Sequence, residues 1–173
     1  MISNHTDRND FSRPDRISNA QDGTVIRIDR LTKRYGDQTA VDGLSLNVPE
    51  GAIFGLLGEN GAGKTTTIQI LLGLIRPDSG RAEILGLDPS RDGLEVRRRV
   101  GYVPEVPVLY DTMTVEQIGW FASGFHPGPG GSTQTFQDRY HELVKGFELP
   151  RKRKISALSK GMRAKVSLSL ALA

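Results

Sequence analysis

Apolar and polar residues alternate over residues 25–31 and again over Leu44-Ser45-Leu46-Asn47-Val48, the period of half-buried strands. Pro49-Glu50-Gly51 predicts the turn that closes this opening sheet. The continuous apolar run over residues 52–57 predicts a buried parallel strand. Beyond it Ile68, Leu71, Leu72 and Ile75 recur at helical spacing, and residues 76–80, Arg-Pro-Asp-Ser-Gly, end that helix. Short strands are expected over residues 81–85 and 100–103, with a basic helix over residues 94–99 between them. Residues 114–123 read as a helix with Thr114 and Gln117 as a capping box and Val115, Ile118 and Ala122 on one face. Residues 126–132 form a Gly/Pro loop, and helical pattern resumes over residues 135–147. A last helix starts near Leu158, with Ser159 as its N-cap. Strands followed by helices in this order give an α/β core carrying a mainly helical subdomain.

Between the apolar run and the first helix lies Gly58-Glu59-Asn60-Gly61-Ala62-Gly63-Lys64-Thr65. It fits G-x-x-x-x-G-K-[ST], the phosphate-cradling loop. Glycines let the backbone turn tightly around a phosphate chain so that successive N–H groups point at it. Lys64 supplies a mobile cation for the β- and γ-phosphates, and the Thr65 hydroxyl is placed to ligate Mg²⁺. A following helix N-terminus, with Thr66 in its first turn, adds further donors. The pattern predicts a nucleoside-triphosphate site with Mg²⁺, with Lys64 as the catalytic cation.

Composition narrows the partners. The 173 residues are 37% hydrophobic, enough for one core, and the net charge of +3 is spread along the chain. With no cysteine there is neither a disulfide framework nor a thiolate metal site. No apolar stretch is long enough to span a bilayer, so a membrane role is expected to run through a partner. Residues 1–22 are polar, lack the order of a secretory signal and read as a disordered leader; Asn4-His5-Thr6 matches a glycosylation sequon incidentally. The basic runs Arg97-Arg98-Arg99 and Arg151-Lys152-Arg153-Lys154 lack interleaved aromatics, which favours solvated faces over nucleic-acid binding.

Leu158-Ser159-Lys160-Gly161-Met162 places Ser and Gly at a second helix N-terminus in the same chain. With this the chain resembles the ATP-binding cassette family, the nucleotide-binding subunits of ABC transporters, from residue 25 to residue 173. Tyr35-Gly36 is similar to the family's aromatic loop, whose ring stacks on adenine. Val41-Asp42-Gly43-Leu44-Ser45-Leu46 followed by Gly51 is similar to its approach to the phosphate loop. Gly101-Tyr102-Val103-Pro104-Glu105 stands where its glutamine loop belongs, and residues 158–162 where its signature LSGGQ belongs.

The resemblance implies that the nucleotide is ATP. It also implies a P-loop NTPase core of the ABC type, with an N-terminal antiparallel β part and a helical subdomain over residues 106–157, inside a nucleotide-binding domain over residues 23–173. It implies that two subunits pack head to tail so that Ser159 and Gly161 of one complete the ATP site of the other, and that a separate membrane subunit holds the protein at the cytoplasmic face of the cell membrane. Glu105 replaces the expected glutamine; it keeps an oxygen for Mg²⁺ and adds charge. Lys160 and Met162 replace Gly and Gln, and a cation at a helix N-terminus is unfavourable unless an anion meets it.

In the family an apolar strand ending in Asp-Glu follows the signature helix, and a switch histidine follows later. This sequence contains no Asp-Glu pair, and His5, His126 and His141 are not placed to act as the switch. The expectation is therefore an N-terminal piece of an ABC-transporter ATPase, incomplete at its C-terminus and by itself inactive. A soluble ABC-type ATPase acting on ribosomes or DNA, and a non-catalytic nucleotide-binding fragment, are the alternatives.

Overall fold

The computed structural model describes residues 23–126 and 133–173. The leader, the sequon with His5, and most of the Gly/Pro loop lie outside the described residues.

Two long strands, β1 (Thr24–Tyr35) and β2 (Gln38–Pro49), form an antiparallel hairpin, and β3 (Ser79–Ile84) pairs antiparallel with the other edge of β1. Register aligns Ile26 with Val48 and Ile84, and Ile28 with Leu46 and Ala82, so apolar side chains share a face. Arg30, at φ 47°, marks a bulge in β1, and its N–H donates to Ser45 Oγ at 2.8 Å. Gly80, at φ 76°, faces the Arg30 carbonyl so closely that a Cβ there would collide with it. The bulge re-aims the last turn of β1, which carries Lys33 to Tyr35.

Helix α1 (Lys64–Leu71) packs on this sheet. Ile28, Leu31, Val41, Ile70 and Ala82 make one buried cluster; each fully buried Ile, Leu or Val contributes about 1.5–3 kcal/mol. Thr67 and Ile70 take the buried face of α1, whereas Ile68 is exposed. Leu72 is buried and Leu71 and Ile75 pack against the cluster, as their spacing predicts, while Thr67 joins the buried face by donating its hydroxyl to the Gly63 carbonyl at 2.9 Å.

Two expected strands do not form. Residues 52–57 and 100–103 have no strand pairing among the described residues, and Ile53, Phe54, Leu57, Tyr102 and Val103 are exposed. A parallel strand draws its hydrogen bonds from neighbours on its edges, and the described sheet, ordered β2-β1-β3, offers none to these runs. Gly101 nevertheless packs tightly on the Ala171 carbonyl.

Helix α2 (Pro89–Arg99) begins well before its basic stretch, because Asp88 caps it by accepting from Ser90 N at 2.8 Å and Pro89 opens it. Helices α3 (Val115–Ser123), α4 (Gln134–Gly146) and α5 (Lys160–Leu172) surround a second buried cluster. Its members run from Val115 and Ile118 through Tyr140 and Ile155 to Leu158 and Val166. The expected capping box opens α3: Thr114 Oγ1 accepts from Gln117 N at 3.1 Å, and Gln117 Oε1 accepts from Thr114 N at 2.9 Å. Gly119 lies against the Tyr140 ring with no space for a Cβ. The Tyr140 hydroxyl donates to the Val115 carbonyl at 2.7 Å, and burial pushes its pKa well above the usual phenol range.

Candidate functional site

Residues 58–63 turn into α1 through Gly61 and Gly63, both at positive φ (87° and 78°). A Cβ on Gly63 would overlap the Ala40 carbonyl, and one on Gly58 would come within 2.9 Å of the Ala62 methyl. Glycine is therefore required both by the turn and by the approach of the loop to β2. Ala62 N donates to the Glu59 carbonyl at 3.1 Å and Thr67 N to the Gly63 carbonyl at 2.8 Å. Gly63 stands at the N-cap and contributes no side-chain acceptor to the first turn of α1. The first-turn N–H groups of Lys64, Thr65 and Thr66 thus point out of a positive helix end without a side chain to meet them.

Lys64 folds back over the loop, its ammonium donating to the carbonyls of Gly58 (2.6 Å) and Glu59 (2.7 Å). Two neutral carbonyls are weaker partners than an anion, so phosphate oxygens can displace them. The donor set fits a polyphosphate: backbone N–H groups, one cation, and the exposed Thr65 hydroxyl beside them for Mg²⁺. Among the described residues no cluster of three or more His, Asp or Glu could hold a metal ion by protein groups alone. Mg²⁺ bound through phosphates, water and one or two side chains suits such a surface.

Tyr35 ends β1, pairs with Gln38 across the hairpin turn and is 48% exposed. Gly63 packs on Ala40 and Val41, two and three residues beyond Gln38 in β2. Lys33 Nζ lies 5.6 Å from the Tyr35 ring centroid and donates to Asp78 Oδ1 at 3.0 Å. Asp78 Oδ2 accepts from Arg34 N at 2.6 Å. That backbone N–H, followed by the Lys33 ammonium, holds the Asp78 carboxyl below the usual carboxylate range. Neither Lys33 nor Asp78 emerged from the sequence, because their meeting depends on β3 pairing beside β1.

The other expected site residues stand on other segments of the chain. Glu105 is exposed on the extended segment after Gly101. Ser159 caps α5, its Oγ accepting from Met162 N at 3.2 Å, and Gly161 is exposed with open space around it. Both are exposed at the start of α5, whose Val166, with Leu158 just before it, packs in the helical cluster. Lys160 extends from the first turn of α5, which holds no acidic residue. Arg163, one turn on, pairs with Asp111 at 2.8 Å.

The basic runs are largely engaged with the protein itself. Arg97 donates to the Leu72 and Gly73 carbonyls at 3.0 and 3.3 Å, covering the C-terminal end of α1. Arg98 and Arg99 both pair with Glu95, and Arg99 holds the Glu95 carboxyl below its ordinary range. Arg151 pairs with Glu116 across to α3. The solvated face expected at residues 97–99 is thus in part a helix cap. His126 stacks on Phe136, with ring centroids 5.2 Å apart.

A sequence model of the ABC transporter family matches residues 41–173. The chain is 40% identical over 152 residues to the bacitracin transport ATP-binding protein of Bacillus licheniformis, covering 86% of this chain and 47% of that protein. It is 38% identical over 154 residues to a daunorubicin resistance ATP-binding protein of Streptomyces coeruleorubidus, covering 87% and 47%. The chain therefore spans about half the length of the curated relatives it matches. A solved structure described as an ATP-binding subunit of an ABC transporter superposes with a TM-score of 0.73 at 31% identity, covering 86% of this chain and 61% of that one.

Proposed function

The chain belongs to the ABC transporter family of ATP-binding proteins, and from that premise we propose that it supplies the ATP-cradling part of a subunit whose ATP binding and hydrolysis drive transport through a separate membrane protein. The observation that carries this reading is the loop itself: an uncapped helix N-terminus, two glycines at positive φ, and a lysine held only by neutral carbonyls. Residues 58–66 and Lys64 hold the phosphates, Tyr35 stacks on the base, and Thr65 with Glu105 takes part in binding Mg²⁺. When bound, Mg²⁺·ATP supplies the phosphoanhydride to be cleaved. Lys64 then leaves the Gly58 and Glu59 carbonyls for phosphate oxygens and neutralises their charge.

Ser159, Lys160 and Gly161 are proposed to face the nucleotide of a second ATP-binding subunit packed head to tail. Lys160 in the first turn of α5 supports this, since a cation beside that positive end is favourable only when an anion meets both. Residues 106–157 are proposed as the helical subdomain, with α5 shared between it and the core. Among the described residues no helix is long and apolar enough to cross a membrane; a place at the cytoplasmic membrane face, through the membrane subunit, is proposed. The 173 residues alone are proposed to be inactive, because they contain no Asp-Glu pair of the kind that polarises water in this family.

Lys64→Ala tests the reading. A charge-assisted phosphate contact is worth about 1.5–3 kcal/mol, so ATP affinity should fall roughly ten- to a hundredfold. Equal affinities of the two proteins in a titration with labelled ATP would remove the site.

A further inference from the structure

We propose that Asp78 is a positioning residue for the nucleotide base, holding the Lys33–Tyr35 pair so that one part of the ring is covered and the rest is set to receive a purine. The proposal rests on the reading of Tyr35 as the base platform and goes one step behind it.

Asp78 precedes β3 and straps the end of β1 at three consecutive residues. Its N–H donates to the Thr32 carbonyl at 2.9 Å, its Oδ1 accepts from Lys33 Nζ at 3.0 Å and its Oδ2 accepts from Arg34 N at 2.6 Å. The next residue along β1 is Tyr35. A free Lys33 would sweep solvent on four rotatable bonds, yet its side chain is only 16% exposed, drawn in between the carboxylate and the ring. At 5.6 Å from the centroid its ammonium is within cation–π reach. A ring fixed on one side, on a backbone fixed by the Arg34 hydrogen bond, is pre-organised; less rotamer freedom is lost when a flat base stacks against it.

Aspartate is the residue type this strap requires. It offers two acceptor oxygens to two donors, with a charge for the ammonium. Asparagine offers one oxygen, and its NH₂ group would face either the Arg34 N–H or the Lys33 ammonium, donor against donor.

The base is what distinguishes this role from a general structural one. In the full chain, Mg²⁺·ATP and Mg²⁺·tripolyphosphate are titrated calorimetrically into the wild type, Asp78→Asn, Tyr35→Ala and the double variant. Asp78→Asn is expected to weaken ATP about two- to fivefold, the range of an exposed cation–π contact, and to leave tripolyphosphate unchanged. Retained tripolyphosphate binding also reports a folded loop. In the Tyr35→Ala background Asp78→Asn should cost nothing further, because the two act as a unit. Equal losses for both ligands, or a full additional loss in the double variant, would overturn the proposal in favour of a plain strand tether. Weakened ATP binding in Tyr35→Ala with none in Asp78→Asn removes the proposal alone. Unchanged ATP binding in Tyr35→Ala removes the base platform, and the proposal with it.

Discussion

Lys64 shows how one side chain can be legible in sequence and still hold a surprise in structure. The motif places a cation beside the phosphates; the structure adds that it is parked on the carbonyls of Gly58 and Glu59. Those neutral carbonyls are weaker partners for an ammonium than phosphate oxygens. Tyr35 is the second such residue. At 48% exposure, with its neighbour Lys33 rather than the core as partner, it contributes little to folding. Tyr35→Ala should therefore weaken ATP binding while moving the denaturation midpoint by less than about 0.5 kcal/mol in stability, the scale of ordinary surface changes. Tyr35→Phe and Tyr35→Trp keep a π face and should keep binding. Normal affinity with a large loss of stability, measured by urea denaturation of the nucleotide-free protein, would contradict this.

Among the elements, a local cap marks a helix start where it stands beside a clear apolar pattern. The capping box fixed the start of α3 because Thr114 and Gln117 satisfy each other's donors locally. The start of α2 is hidden in the sequence although Asp88 and Pro89 signal it, because residues 94–99 carry few apolar positions beside three consecutive arginines. In the helical cluster, α3 and α4 approach through Gly119, over which the Tyr140 ring lies. Gly119→Ala must move that ring and strain the Tyr140 hydrogen bond to Val115. Overpacking of this kind costs about 1–3 kcal/mol. A lower thermal midpoint with ATP affinity unchanged is the expected outcome; an unchanged midpoint would mean the helices separate freely.

For the whole molecule, binding and hydrolysis are expected to separate. The loop, Tyr35 and the strap that supports it are self-contained on the sheet cluster. Ser159 and Gly161 stand exposed at the start of α5, the helix that packs in the helical cluster. Attack on a γ-phosphate needs a positioned water and a group to polarise it. The 173-residue chain should bind ATP yet release phosphate at a rate indistinguishable from its Lys64→Ala variant. A clear rate abolished by that substitution would show that this chain holds its own water-activating group.

Sequence by itself determined whatever depends on neighbours along the chain. The phosphate loop, the hairpin period, the α3 capping box and the Ser159 cap all follow from residues within a few positions of one another, where sterics and local hydrogen bonds act directly. It also gave the family, through motifs in a fixed order. Tertiary structure decided what depends on distant chain. Residues 52–57 and 100–103 are apolar enough for a buried strand but lack pairing partners in the described sheet, so composition could not make them strands. The strap of Asp78 on Lys33 and Arg34 spans 44 to 45 residues of sequence; only β3 folding beside β1 brings the carboxylate to the ring it steadies.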